Sequence, residues 1–112
     1  MRIASLLLIF TLACQQSDQQ RLAPAKSWAA SLAFAGELWL ENRVPDSLIE
    51  NSVASARKAI AETNAPAEFK GTLDELSDSA AALATAVRKH DVKSAMREIA
   101  RCKRIRASLD SL

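Results

Sequence analysis

Residues 69–87 read FKGTLDELSDSAAALATAV, and the spacing of their apolar members decides how the rest of the chain is read. Phe69, Leu73, Leu76, Ala80, Leu83 and Val87 follow one another at steps of 4, 3, 4, 3 and 4. That is the spacing of a helix seam that faces other helices. Gly71 weakens the first turn, and Thr72-Leu73-Asp74-Glu75 just after it has the pattern of a capping box. Acidic residues gather early (Glu68, Asp74, Glu75, Asp78) and Arg88-Lys89 stand at the far end, which suits a helix dipole.

Working toward the C-terminus, His90-Asp91 reads as a very short turn with Asp91 as N-cap of a further helix. The apolar set there is Val92, Ala95, Met96, Ile99, Cys102, Ile105, Leu109 and Leu112. This helix is also basic: Lys93, Arg97, Arg101, Lys103, Arg104 and Arg106 stand against Glu98 and Asp110. Working toward the N-terminus, Ser47-Leu48-Ile49-Glu50 has capping-box spacing. Leu48, Ile49, Val53, Ala56, Ala59 and Ile60 then share one helical face, closing near Thr63-Asn64 before Pro66. The first helix of the body is expected from Pro24, a favoured first-turn residue. Its apolar face is Trp28, Leu32, Ala35, Leu38 and Trp39, with Phe34 on the edge, and it stops at Asn42-Arg43-Val44 ahead of Pro45.

Four helices with short turns and one apolar face each predict an all-α domain over residues 24–112: an up-down-up-down antiparallel four-helix bundle. Helices of about 18 to 20 residues would make it roughly 30 Å tall. Composition agrees with helix throughout. There are 22 alanines, two glycines, three prolines and no tyrosine, leaving little of the β-branched and aromatic material that strands prefer. The net charge of +2 is too small to argue for a nucleic-acid binder.

The N-terminus has a different character. Met1-Arg2 supplies positive charge, and Ile3–Ala13 is an uncharged apolar run broken only by Ser5 and Thr11. A bilayer span needs about 20 apolar residues, so a run this short is expected to be a cleavable signal peptide, residues 1–13. It is apolar all round, unlike an amphipathic core helix. Thr11-Leu12-Ala13-Cys14 resembles the lipobox of bacterial lipoproteins, in which small residues precede a cysteine that is lipidated and becomes the new N-terminus. Thr11 departs from the pattern, where a larger aliphatic residue is usual. The resemblance implies lipidation at Cys14, palmitate included, and a membrane anchor. Residues 14–23, with the polar run Gln15–Gln20, would be the tether. A plain secretory signal followed by an unmodified cysteine, or an uncleaved segment, is the alternative. Gln15 in place of Asp after the cysteine implies, by the enterobacterial sorting rule, the outer rather than the inner membrane, with the body facing the periplasm.

The inventory for chemistry is short. His90 is the one histidine and reads as a solvated turn residue, and Met96 reads as core. With Cys14 lipidated, Cys102 has no disulfide partner; it reads as a small buried apolar residue, with a reactive or intermolecular thiol as the alternative. Cys102 stands where c-type cytochromes built as four-helix bundles carry Cys-x-x-Cys-His. The resemblance is to position and first cysteine only, since Ile105 and Arg106 replace the second cysteine and the histidine. No nucleophile–base pair, phosphate loop or metal-ligand spacing stands out, so no catalytic residue, cofactor or metal is expected. The basic last helix is the asymmetric feature. Arg97, Arg101, Lys103 and Arg104 are its candidate face for an anionic partner and do not share one narrow stripe of the helix; pairing with the acidic start of the preceding helix is the competing use of the charge. The expected role is a structural or protein-interaction module of the bacterial cell envelope. Its partners would be the membrane, through the lipid, and an envelope protein or anionic surface. A helical-bundle ligand carrier, or a degenerate cytochrome-like haem binder, is the second expectation.

Overall fold

The regular stripe of residues 69–87 becomes a helix flanked by three others in the computed structural model, which describes residues 18–111. The elements are α1 (Asp18–Leu40), α2 (Asp46–Ala61), a single 3-10 turn (Ala67–Phe69), α3 (Lys70–Arg88) and α4 (Val92–Asp110). Among the described residues there is no strand. Sequential helices pack on one another, and α4 also packs on α1, closing a ring of four. Leu73, Leu76, Ala80, Leu83 and Val87 are all buried, and Phe69 packs half-buried against them. Leu22, Leu32, Ile49, Leu76, Leu83 and Leu109 are the largest side chains wholly withdrawn from water. A leucine of this kind contributes about 2–5 kcal/mol against truncation to alanine.

Cross-helix pairs give the register. Between α3 and α4, Glu75 meets Arg101 and Ser79 meets Glu98. Between α2 and α3, Glu50 meets Arg88 and Arg57 meets Ser77. Between α1 and α4, Lys26 meets Asp110 and Glu37 meets Lys103. Gly36 lies buried on the same α1–α4 contact. A Cβ there would stand 2.6 Å from Ile99 Cγ1, so the bare backbone is what lets the two helices approach.

Two helix ends are closed by the same device. Asn42 and His90 adopt left-handed backbone, φ 59° and 52°. Behind each, the N–H groups reach back to the last turn: Asn42 to Trp39 O at 3.0 Å and Arg43 to Leu38 O at 2.9 Å, His90 to Val87 O at 3.0 Å and Asp91 to Ala86 O at 2.9 Å. This is the paired bonding of a Schellman stop, usually built on glycine. Both stops lie at one end of the bundle, where Asp46 ties them together. Its Oδ1 accepts from Trp39 Nε1 at 2.7 Å, and its Oδ2 lies 3.3 Å from His90 Nε2. The exposed His90 of the sequence reading is exposed, but its ring is held.

Several expectations need correction. α1 begins at Asp18 rather than Pro24, so the second half of the expected tether is helical and Leu22 is core. Pro24 withdraws one N–H from the ladder, yet the helix runs through it because Leu22 and Ala25 on either side are drawn into the core. Neither capping box forms. α2 starts after Pro45 and α3 after Phe69, neither with a side-chain cap, and Thr72 falls inside α3. Leu48 is exposed, because α2 turns Ile49, Val53, Ala56 and Ile60 inward. Met96 and Val92 are 56% and 52% exposed. The α4 core is Ala95, Ile99, Cys102, Ile105 and Leu109, a stripe that leaves Met96 one position outside. Leu112, Cys14 and the run Ile3–Ala13 lie outside the described residues.

Candidate interaction surface on α4

Asp91 caps α4 as the sequence suggested: its carboxylate accepts from the Ser94 backbone N–H at 3.1 Å and the Ser94 hydroxyl at 2.7 Å. These two bonds, the hydroxyl's first, favour the charged form and hold the Asp91 carboxyl below the usual carboxylate range, with Arg97 and Lys89 adding to them. From this start the helix divides its six basic residues between two environments.

On the side toward α3 the charge is consumed. Arg101 donates to Glu75 Oε1 at 3.4 Å and to Glu98 Oε1 at 3.3 Å. Glu98 is only 7% exposed. Its carboxylate also accepts from the Ser79 hydroxyl at 2.9 Å, and that oxygen lies 3.5 Å from Cys102 Sγ. Burial works against the Arg101 charge, but the bonds to Glu75 and Glu98 outweigh it, and its pKa is raised. Burial pushes the Cys102 thiol up as well, the Ser79 contact offsetting part of the rise. Cys102 is fully buried. A thiol so placed behaves as a small apolar side chain and not as a nucleophile. Among the described residues, no buried side-chain nitrogen or oxygen lacks a partner. The buried polar atoms of the cluster are satisfied, and it joins α3 to α4.

Toward α1, Lys103 pairs with Glu37, while Arg106 pairs with Asp110 one turn on at 3.4 Å. The outward side is different. Lys93, Arg97 and Arg104 are exposed, and among the described residues none makes an ion pair or side-chain hydrogen bond. Arg97 lines a shallow groove with Lys89, Asp91 and Ser94, and Arg104 lines another with Thr72, Glu75 and Ser108. At about 100° per residue, Lys93, Arg97, Ala100, Arg104 and Ala107 stand on the face opposite the α4 core. Met96 and Lys103 flank that face, and all seven residues are exposed.

The four candidate residues therefore separate. Arg97 and Arg104 point outward with no ion pair among the described residues, Lys103 is shared with α1, and Arg101 belongs to the α3 contact. Sequence reading missed Lys93 as a member of the outward face. It also missed Ser79 and Glu98 as buried polar residues. A signal for both was present: Ser79 lies three residues after Leu76 and four before Leu83, and Glu98 lies three after Ala95 and four before Cys102. Among the described residues no group of acidic, histidine or cysteine side chains could hold a metal ion, and no helix is long and apolar enough to cross a membrane. No known protein family matches the chain, and neither does any curated protein or solved structure.

Proposed function

We propose that this chain is a small bacterial lipoprotein: an extracytoplasmic bundle, lipid-anchored at Cys14, that works by contact and not by catalysis. The observation that carries the reading is the junction of two unlike segments. An apolar run, Ile3–Ala13, ends at Thr11-Leu12-Ala13-Cys14, and a packed amphipathic body begins at Asp18, four residues after that cysteine. A signal peptide of residues 1–13 and an anchor at Cys14 account for both halves. The body is read as an up-down-up-down antiparallel bundle. Supporting this are the short connections and the opposed register of Glu75 with Arg101 and Ser79 with Glu98. Its role is that of a structural or interaction module at the periplasmic face of the outer membrane, with the outward side of α4 as its contact surface for an anionic partner.

The test is Cys14→Ser in the native host. The expected result is accumulation of unprocessed precursor and loss of mature protein from the membrane fraction. Normal processing and unchanged fractionation would refute the anchor.

A further inference from the structure

We propose that the outward face of α4 docks on an acidic phospholipid bilayer, laying the bundle on its side against the membrane. The inference deepens the contact-module reading above by naming the partner as lipid and the residues as Lys93, Arg97 and Arg104. What favours lipid is the composition of the face. Its cations are Lys93, Arg97, Lys103 and Arg104, its other exposed members are Met96, Ala100 and Ala107, and it holds no carboxylate. The nearest acid at its start, Asp91, is engaged by Ser94, and Glu37 at its margin is engaged by Lys103. Cations interleaved with a methionine and small apolar residues suit a headgroup layer, where phosphates take the charge and the boundary below takes the thioether. An acidic protein groove would instead be matched by polar side chains with a defined hydrogen-bonding pattern, and alanines offer none.

Geometry permits the anchor and the face to act together. From Lys93 to Arg104 the stripe runs about 16 Å along the helix at 1.5 Å per residue. It is therefore a side of the bundle and not an end. Lys26 of α1 meets Asp110 of α4 at 3.6 Å, and α1 begins at Asp18, about 12 Å along its axis beyond that contact at 1.5 Å per residue. Cys14 precedes α1 by four residues, a separation the chain covers with at most about 14 Å. A lipid at that cysteine would tether that end of α1 to the bilayer on a short chain, from which the side of α4 can settle on the surface. Each cation held at an acidic surface strengthens binding about fivefold. The three outward ones, Lys93, Arg97 and Arg104, turn a lone acyl anchor into the two-signal attachment that stable membrane binding requires.

The experiment uses the mature chain isolated from its own membranes and mixed with vesicles. One set is pure phosphatidylcholine; the other is equal parts phosphatidylcholine and phosphatidylglycerol. Amine-reactive labelling read by mass spectrometry then reports the accessibility of Lys93 and Lys103, with the exposed Lys58 of α2 as internal reference. The expected result is protection of Lys93 and Lys103 relative to Lys58 on the acidic vesicles alone. It should vanish near 1 M salt, where the Debye length is about 3 Å. In the R97Q/R104Q chain the docked-to-undocked ratio should fall about 25-fold, at about fivefold per cation. Equal Lys93/Lys58 ratios on both vesicle types would overturn the proposal. So would protection seen only after adding lipid-free envelope protein, which would assign the face to an acidic protein. Flotation separates this from the anchor: a chain that fails to float with neutral vesicles refutes the anchor, while the acidic-vesicle labelling still decides the face.

Discussion

Arg101 and Arg104 stand three residues apart on the same helix, yet their charges have different uses. Arg101 turns toward α3, is held between Glu75 and Glu98, and shares in a buried cluster with Ser79 and Cys102. Arg104 turns to solvent and pairs with nothing among the described residues. The difference is one of phase alone: three residues advance a helix by about 300°, which moves a side chain from the edge of a contact to the open surface. A count of basic residues cannot separate structural charge from available charge, and a neighbouring helix can.

The contrast between the packed and open sides of α4 can be broken first at the packed side. Leu76 is wholly buried on the facing helix. Leu76→Asp places an unpaired carboxylate there and should cost more than about 4 kcal/mol, seen as loss of a cooperative thermal transition. Retention of a wild-type melting curve would mean the α3 seam is misassigned. Next is the close approach to α1. Gly36→Val drives a branched side chain into Ile99, whose Cγ1 and Cδ1 would lie 2.6 and 2.8 Å from the new Cβ. Ile99 is itself stiff at χ1, so the helices must part, at a cost of about 2 kcal/mol in denaturant unfolding.

The arginine pair gives the sharpest comparison. Arg101→Gln leaves the Glu98 carboxylate buried with the Ser79 hydroxyl as its remaining side-chain partner, which should cost about 1–2 kcal/mol. Arg104→Gln should change stability by less than about 0.5 kcal/mol. Equal effects in matched melts would erase the distinction between the two arginines. The smallest effect is at the cap. The folded carboxyl of Asp91 titrates below its unfolded value, so its contribution is complete above about pH 3.9 and is lost as pH falls through the lower folded pKa. Asp91→Ala should therefore melt lower than wild type by a constant amount near neutrality. That gap should close in strong acid, and a gap that widened on acidification would reverse the sign assigned to the cap.

Much of this fold is legible in the order of residues. Phe69 to Val87 announced its helix because a 4-3-4-3-4 stripe leaves little room for another period, and all but half-buried Phe69 went into the core. Asp91 was legible as a cap because only a short polar side chain suits that position between two helical patterns. The start of α1 was not legible. Gln15–Gln20 is polar, and Pro24 looks like a first turn, so nothing local announces that Leu22 will be core. Its burial is decided by the tertiary packing that fills that end of the bundle. The Schellman stops at Asn42 and His90 were hidden for a similar reason: neither carries the glycine that usually marks one, and His90 is held by Asp46, far away in sequence.

Residue order by itself determined that this chain is helical, where α3 and α4 meet, and that an apolar run ending in Cys14 precedes the body. These are properties of local spacing and composition, and they need no partner to be read. Only the tertiary structure decided which charges are free. Whether a guanidinium is spent depends on what stands beside it once the helices pack, and Glu75 across the α3 interface and Glu98 on α4 itself pair with Arg101.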